Sequence, residues 1–307
     1  MTDVGPNLAK LSLGPLLFNW PAEQIRDFYF RMAEEGPFDT VHLGEVVCSK
    51  REPFFAKFIP EVMDRLTTSG KEVVISSLAL VMAEKERQGV RALAEADFVV
   101  EANDISAALA LVGRPFHVGP FVNVYNEGTL VYLSGMGMKR VCLPAELSGA
   151  TLAILAAQKS CEIEVQAFGR LPLAVSARCY HARLHDLHKD GCQYVCAEDA
   201  DGLAVDTMDG KPFLAINGTQ TMSERYVNLL GQVRSLGQAG VSRFRLWPHH
   251  CDMVAVGRLF RNVLDGQLDA KAANRQLAEL VPDAAFSNGY IHGLEGHRLI
   301  DDDLLIA

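Results

Sequence analysis

The sequence predicts a (β/α)8 barrel of the TIM type, with a long cysteine-rich insertion after its seventh strand. Three observations carry that prediction. Short apolar runs of strand length alternate with amphipathic helical stretches, eight of them in turn, which suits a closed parallel sheet better than an open one. The runs are apolar almost throughout, as in a sheet covered on both faces. The segment from Arg178 to Glu198 then breaks the rhythm: it is too polar and irregular for a core element, yet holds three of the seven cysteines within eighteen residues.

In order, residues 11–18 read as the first strand, and Pro21 opens a helix to Glu34 with Ile25, Phe28, Tyr29 and Met32 at helical spacing. Gly36-Pro37 stops it. The second strand is 40–43, running straight into 44–51, and a helix covers 60–68. Strand 72–77, helix 83–94 and strand 98–101 follow. Asn103-Asp104 caps a short helix to Val112. Strand 116–119, helix 126–134, strand 140–143, helix 151–159 and strand 161–168 complete seven strands. The excursion, about 170–222, includes an extra strand at 213–216. Ser223 caps a helix to Gln238, the eighth strand is 243–248, and helices 253–264 and 269–279 close the pattern. No linker, low-complexity tract or repeat interrupts it, so 1–307 reads as one barrel-like domain.

Composition bounds the function. With 49% apolar residues in 307 the chain can build a large core. A formal charge of −9 and a pI near 5.5 lack the basic footprint of a nucleic-acid or anionic-membrane binder. No apolar run reaches membrane-spanning length, and the run 11–18 contains Gly14-Pro15 without a basic lead, unlike a signal peptide. These features predict a cytoplasmic protein, in which an odd set of seven cysteines reads as free thiols or metal ligands.

Loops that follow barrel strands all open at one end, and that end carries the active site. Cys48 lies five residues past the second strand and Cys179 eleven past the seventh, with Cys192 and Cys196 on the same excursion. Cys48, Cys179, Cys192 and Cys196 are therefore expected to meet at one mouth. Zinc and a [4Fe–4S] cluster both accept four thiolates; zinc favours two close pairs, and here only Cys192-x3-Cys196 is close. Spacing leaves both open.

Other groups are weaker candidates. His181, His185 and His188 flank the thiols; on a helix the first two would share a face and could bind metal, or they lie on a solvated helix. No His-Glu-x-x-His motif is present. His249, His250 and Cys251 follow the eighth strand and should face the mouth, with Asp252 as cap of the next helix. Cys142 and Cys161 read as buried apolar residues. Lys50, Arg51, Arg178 and Arg183 adjoin the thiol positions and either favour thiolate there or are ordinary surface charge. Glu45 and Glu101, each just past a strand, are lone acid/base candidates, and Gly135-x-Gly137 is no dinucleotide fingerprint.

The stretch from Glu164 to Cys179 resembles the signature of the U32 collagenase-like peptidase family: a Glu, an apolar strand, a Gly, a first Cys and then Ser-x-Arg-Cys. Pro172 stands where that first Cys belongs. With residues 44–51 (Gly-Glu-Val-Val-Cys-Ser-Lys-Arg) and Cys179-x12-Cys192-x3-Cys196, the pattern is similar to the ubiquinone-biosynthesis branch of the family, which lacks that Cys and uses one near the N-terminus. The resemblance spans nearly the whole chain. It implies a [4Fe–4S] cluster on Cys48, Cys179, Cys192 and Cys196. It also implies a heterodimer with a sister protein, UbiU, and a lipid-binding accessory protein, UbiT. Their implied task is oxygen-independent hydroxylation of ubiquinone precursors, with prephenate as hydroxyl donor. A U32-type peptidase and a zinc-stabilised, non-catalytic binding subunit are the alternatives.

Overall fold

The computed structural model describes residues 9–300. Eight parallel strands form a closed ring: β1 (Lys10–Leu13), β2 (Thr40–Leu43), β3 (Glu72–Ser76), β4 (Val99–Ala102), β5 (Phe116–Val118), β6 (Met138–Cys142), the first half of β7 (Glu162–Val175), and β11 (Arg243–Leu246). Three strands lie between the last two: β8 (Leu203–Asp206), β9 (Pro212–Asn217) and β10 (Gln220–Asn228). Each barrel strand pairs with the next, and β11 pairs with both β7 and β1 to close the ring. The predicted (β/α)8 barrel is therefore the fold. Among the described residues, no helix is long and apolar enough to cross a membrane.

The outer layer comprises α1 (Ala22–Glu34), α2 (Glu52–Ala56), α3 (Ile59–Thr68), α4 (Glu84–Glu95), α5 (Ile105–Ala110), α6 (Glu127–Gly135), α7 (Gly149–Ala157), α9 (Val233–Gln238), α10 (Met253–Leu264) and α11 (Ala270–Leu280); α8 (Tyr180–Leu184) belongs to the insertion. Five begin on a side chain that accepts an otherwise orphaned backbone N–H: Asp104, Asn126, Ser148, Asp252 and Asp269.

Three regions depart from expectation. Residues 223–238 are not one helix. Ser223 lies in β10, where its Oγ accepts from Leu171 N at 2.9 Å and donates to the Arg225 carbonyl at 2.5 Å. Tyr226 and Val227, good strand formers, pair with Arg170 and Gly169 of β7, and the helix starts only at Val233. Likewise β1 ends at Leu13 rather than at Phe18, while β2 ends at Leu43 as expected and 44–51 turns into α2.

The third departure concerns the barrel interior, which is charged. Its lower layer joins Arg140 and Arg243 to Glu72, Glu162 and Thr40, with Arg140 Nε on Glu162 at 2.8 Å. The next layer centres on Arg245, fully buried, which donates to Glu101 and, at 2.6 Å, to Glu164. His42 Nδ1–H donates to the Leu13 carbonyl, leaving Nε2 to accept from Arg245 at 3.1 Å. Burial alone would neutralise these carboxyls, but Arg245 beside them holds Glu164 at about 2 and Glu101 well below its usual range.

β7 leaves the barrel after Phe168 and continues as the base of a hairpin sheet, pairing antiparallel with β10. The bend falls at Gly169, whose φ is +107°; a Cβ there would stand 2.7 Å from His249 Nε2, so only glycine fits.

A thiol-lined candidate site at the barrel mouth

Cys48, Cys179, Cys192 and Cys196 all line one small cavity, of about 20 Å³, together with Lys50, Arg51 and Lys189. Four pieces of chain converge to build it. The turn after β2 carries Cys48 and is fixed by Glu45, whose Oε1 accepts the N–H groups of Val47 and Cys48 at 2.7 and 2.9 Å. Cys179 caps α8, its Sγ accepting from Ala182 N at 3.5 Å. Between Cys192 and Cys196, Gln193 and Tyr194 both take the left-handed conformation, at φ 49° and 57°. Side chains other than glycine pay about 1–2 kcal/mol each for it. That double reversal returns the chain so that both cysteines border the cavity.

The fourth piece is the turn between β9 and β10. Thr219 Oγ1 donates to the Val47 carbonyl at 3.0 Å, and Gly218 N donates to His181 Nδ1 at 3.2 Å. Gly218 has φ +62°, and a Cβ there would lie 2.6 Å from Arg51 Nη2. The glycine thus lets a buried guanidinium reach the thiols. Arg51 donates to the Leu17 carbonyl at 2.9 Å and to Asn217 Oδ1 at 3.1 Å. Cys196, itself buried, also accepts from Asn19 Nδ2 at 3.4 Å. From the other side, Lys50 Nζ donates to the Lys189 carbonyl at 2.6 Å and to Asp190 at 2.8 Å. Burial pushes the Cys48 thiol up, against an N–H from Lys50 and the Arg51 charge, which favour the thiolate.

The donor set is four sulfurs with cationic neighbours and no carboxylate on the cavity wall. Zinc holds thiolates at 2.3 Å and would draw them to within about 3.8 Å of one another. Among the described residues, the trio whose ligand atoms all lie within 4.8 Å of each other is His42, Glu101 and Glu164, not the thiols. Arg245 already supplies the positive charge to that trio. Four thiols with cationic neighbours are a donor set that zinc and a [4Fe–4S] cluster both accept, and no three of them lie in zinc-tight contact.

Of the remaining candidates, His181 is also on the cavity wall and the others are not. His181 is neither solvated nor free to bind metal: Gly218 N–H occupies Nδ1, so Nε2–H donates to Asp199 at 2.7 Å. His185 stacks on it, exposed, and His188, Arg178 and Arg183 are exposed as well. His249 is buried with Nε2 taken by Arg170 N and Nδ1–H on Asp201 at 3.1 Å. His250 is exposed against Trp20, and Asp252 caps α10. Cys251 contacts Met253 Sδ at 3.6 Å, with its thiol pushed up to about 12 by burial. Cys142 is buried and Cys161 half-buried. Glu101 is locked to Arg245 and Glu45 to the Cys48 turn. Sequence reading missed the interior ion pairs, although a period-two signal was present: Glu162, Glu164 and Gln166 alternate on one strand, Arg243 and Arg245 on another.

A closed parallel barrel with a thiol-lined mouth is the class that fold and site define. The sequence model of peptidase family U32 matches residues 28–301, and the chain belongs to that family. Similar solved structures include an enolase from Agrobacterium radiobacter, 16% identical, TM-score 0.33, covering 52% of this chain. The match spans 45% of the enolase's own length. The tryptophan synthase complex from Pyrococcus furiosus matches at 12% identity and TM-score 0.39, over 89% of this chain and 99% of that one. Likenesses this distant carry no functional argument.

Proposed function

We propose that Cys48, Cys179, Cys192 and Cys196 hold a [4Fe–4S] cluster. On this reading the chain is a UbiV-like subunit of an oxygen-independent ubiquinone-precursor hydroxylase, working with UbiU and the lipid-binding UbiT in the cytoplasm, with prephenate as hydroxyl donor. The observation that supports it is the convergence of a thiol from the β2 turn with three from the insertion on one cavity. Pro172 agrees with that branch, since it pairs with Met222 in the hairpin sheet, outside the cavity. When bound, the cluster would supply one-electron transfer, and its potential would be tuned by the Arg51 and Lys50 charges. The chain's own groups orient the thiols and cover one face.

A peptidase reading finds less support. His181 and His249 each have both ring nitrogens engaged, so neither is free to take a proton from a nucleophile. The test is genetic. A strain lacking this chain, grown without oxygen, should recover ubiquinone with the wild-type copy and fail with Cys179→Ala. Full recovery by Cys179→Ala would reject the cluster role.

A further inference from the structure

Helices α5, α6 and α7 cover the flank of the barrel outside β4, β5 and β6, and they differ from the rest of the outer layer. α1, α3, α4, α10 and α11 each carry two or more charges, whereas α5 and α7 carry none and α6 carries Glu127 alone. A helix this apolar is normally a covered one. Yet Ile105, Leu109, Val112, Val131, Tyr132 and Ile154 are each more than half exposed, at 52–68%. The three faces adjoin: Gly113 N donates to the Met136 carbonyl at 3.2 Å, joining the ends of α5 and α6, and α6 packs on α7. Together the six side chains present apolar surface on the order of 700 Å², beyond what a monomer usually leaves in one patch and near the roughly 800 Å² per partner of a standard interface.

We infer that this flank is an interface between two copies of the chain, related by a two-fold axis perpendicular to the barrel axis. The distribution of charge selects that partner. Residues 103–160 hold seven Asp, Glu, Lys and Arg side chains, of which Arg140 points into the barrel. Asp104, Glu127 and Glu146 stand at the mouth end, where strands finish and helices begin. Arg114, Lys139 and Lys159 stand at the far end, where helices finish and strands begin. Asp104 caps α5, Glu146 accepts from the Tyr125 hydroxyl, and Arg114 donates to the Ala94 and Phe98 carbonyls. Glu127, Lys139 and Lys159 make no ion pair among the described residues, and all three are exposed. Glu95 and Asp97, at the end of α4, lie beyond the flank. A surface acidic at one end, basic at the other and apolar between is complementary to itself when turned end for end, as an isologous contact requires. Elsewhere a chain of net charge −9 repels its own copy; here three acids balance three bases. The thiols lie on the turns after β2 and on the insertion, off this flank, so the contact holds whether or not they carry a cluster.

Sedimentation velocity on the full-length chain tests this, with reductant present so that the seven thiols do not cross-link. At about 10 µM the chain should sediment with twice its mass of 33.6 kDa. Leu109→Lys and Tyr132→Lys put like charges face to face across the axis, and each should weaken the dimer at least about tenfold with unchanged far-UV circular dichroism. Leu184→Lys, as exposed but on the insertion, should leave the dimer intact. Glu127→Lys should weaken it, and adding Lys139→Glu with Lys159→Glu, which reverses both ends, should restore it. Cys179→Ala should dimerise as the wild type does, so failure of the cluster reading leaves this one standing. A chain that stays monomeric to about 100 µM would overturn the inference and leave the flank to a different protein. So would a dimer that Leu109→Lys and Tyr132→Lys both leave at wild-type affinity, or one that Leu184→Lys breaks. Wild-type affinity in Glu127→Lys would overturn the end-for-end arrangement.

Discussion

The Arg51 guanidinium donates to Asn217 Oδ1 at 3.1 Å, joining the turn after β2 to the tip of a hairpin 166 residues later. Asn217 Nδ2 in turn donates to the Leu17 carbonyl at 2.7 Å, so three mouth segments meet on one buried cation. Arg51→Met should remove this junction. Leaving the Leu17 carbonyl and Asn217 short of a buried partner costs about 1–3 kcal/mol. The urea midpoint should drop accordingly and iron retention should fall with it. An unchanged midpoint would mean the junction is not structural.

Lys50 anchors the insertion by its backbone at Lys189. The contact is partly exposed, so global stability should barely change in Lys50→Met. Local opening should rise instead. Hydrogen exchange at residues 189–197 should accelerate while the rest of the chain keeps its protection.

Glu101 and Arg245 meet in the barrel centre, both fully buried. Breaking one partner of such a pair costs about 3–5 kcal/mol, because the other charge stays buried. Glu101→Leu should show a loss of that order in urea melts, with iron content, where measurable, following stability rather than thiol chemistry.

Acid should unfold the barrel in two stages. His117, buried beside Arg140, is held down at about 3 by desolvation and by that charge. It stays neutral in the folded chain and protonates in the unfolded one, so stability falls as pH drops from about 6.5 towards 3. Glu72 and Glu164 are depressed to about 2 despite burial, by Arg140 and Arg245 respectively. Their stabilisation is complete above the unfolded value near 4.5 and fades as pH falls towards 2. His117→Gln should flatten the upper stage and leave the lower one, as read from thermal midpoints across pH.

Much of this arrangement was legible in the residues. Strand β2 and helix α10 fall where periodicity and the Asp252 cap place them, because local signals and tertiary packing agree there. That Cys48 and the distant trio lie at the same end follows from barrel topology, but their lining one cavity depends on the insertion's own turns. What local pattern cannot show is choice between competing partners. Residues 223–232 were expected to be helical, but β7 overruns the barrel and captures Tyr226 and Val227 as a strand. Arg51 looked like surface charge until the β9–β10 turn covered it, and that turn is set by Gly218, far off in sequence.

The most direct measurement is iron and labile sulfide per chain, with electron paramagnetic resonance, on protein purified without oxygen. The account predicts brown protein with about four irons and four sulfides per chain, and loss of both in Cys48→Ala as fully as in Cys179→Ala. A colourless protein with one zinc per chain, or a Cys48→Ala variant that keeps its full iron, would contradict it.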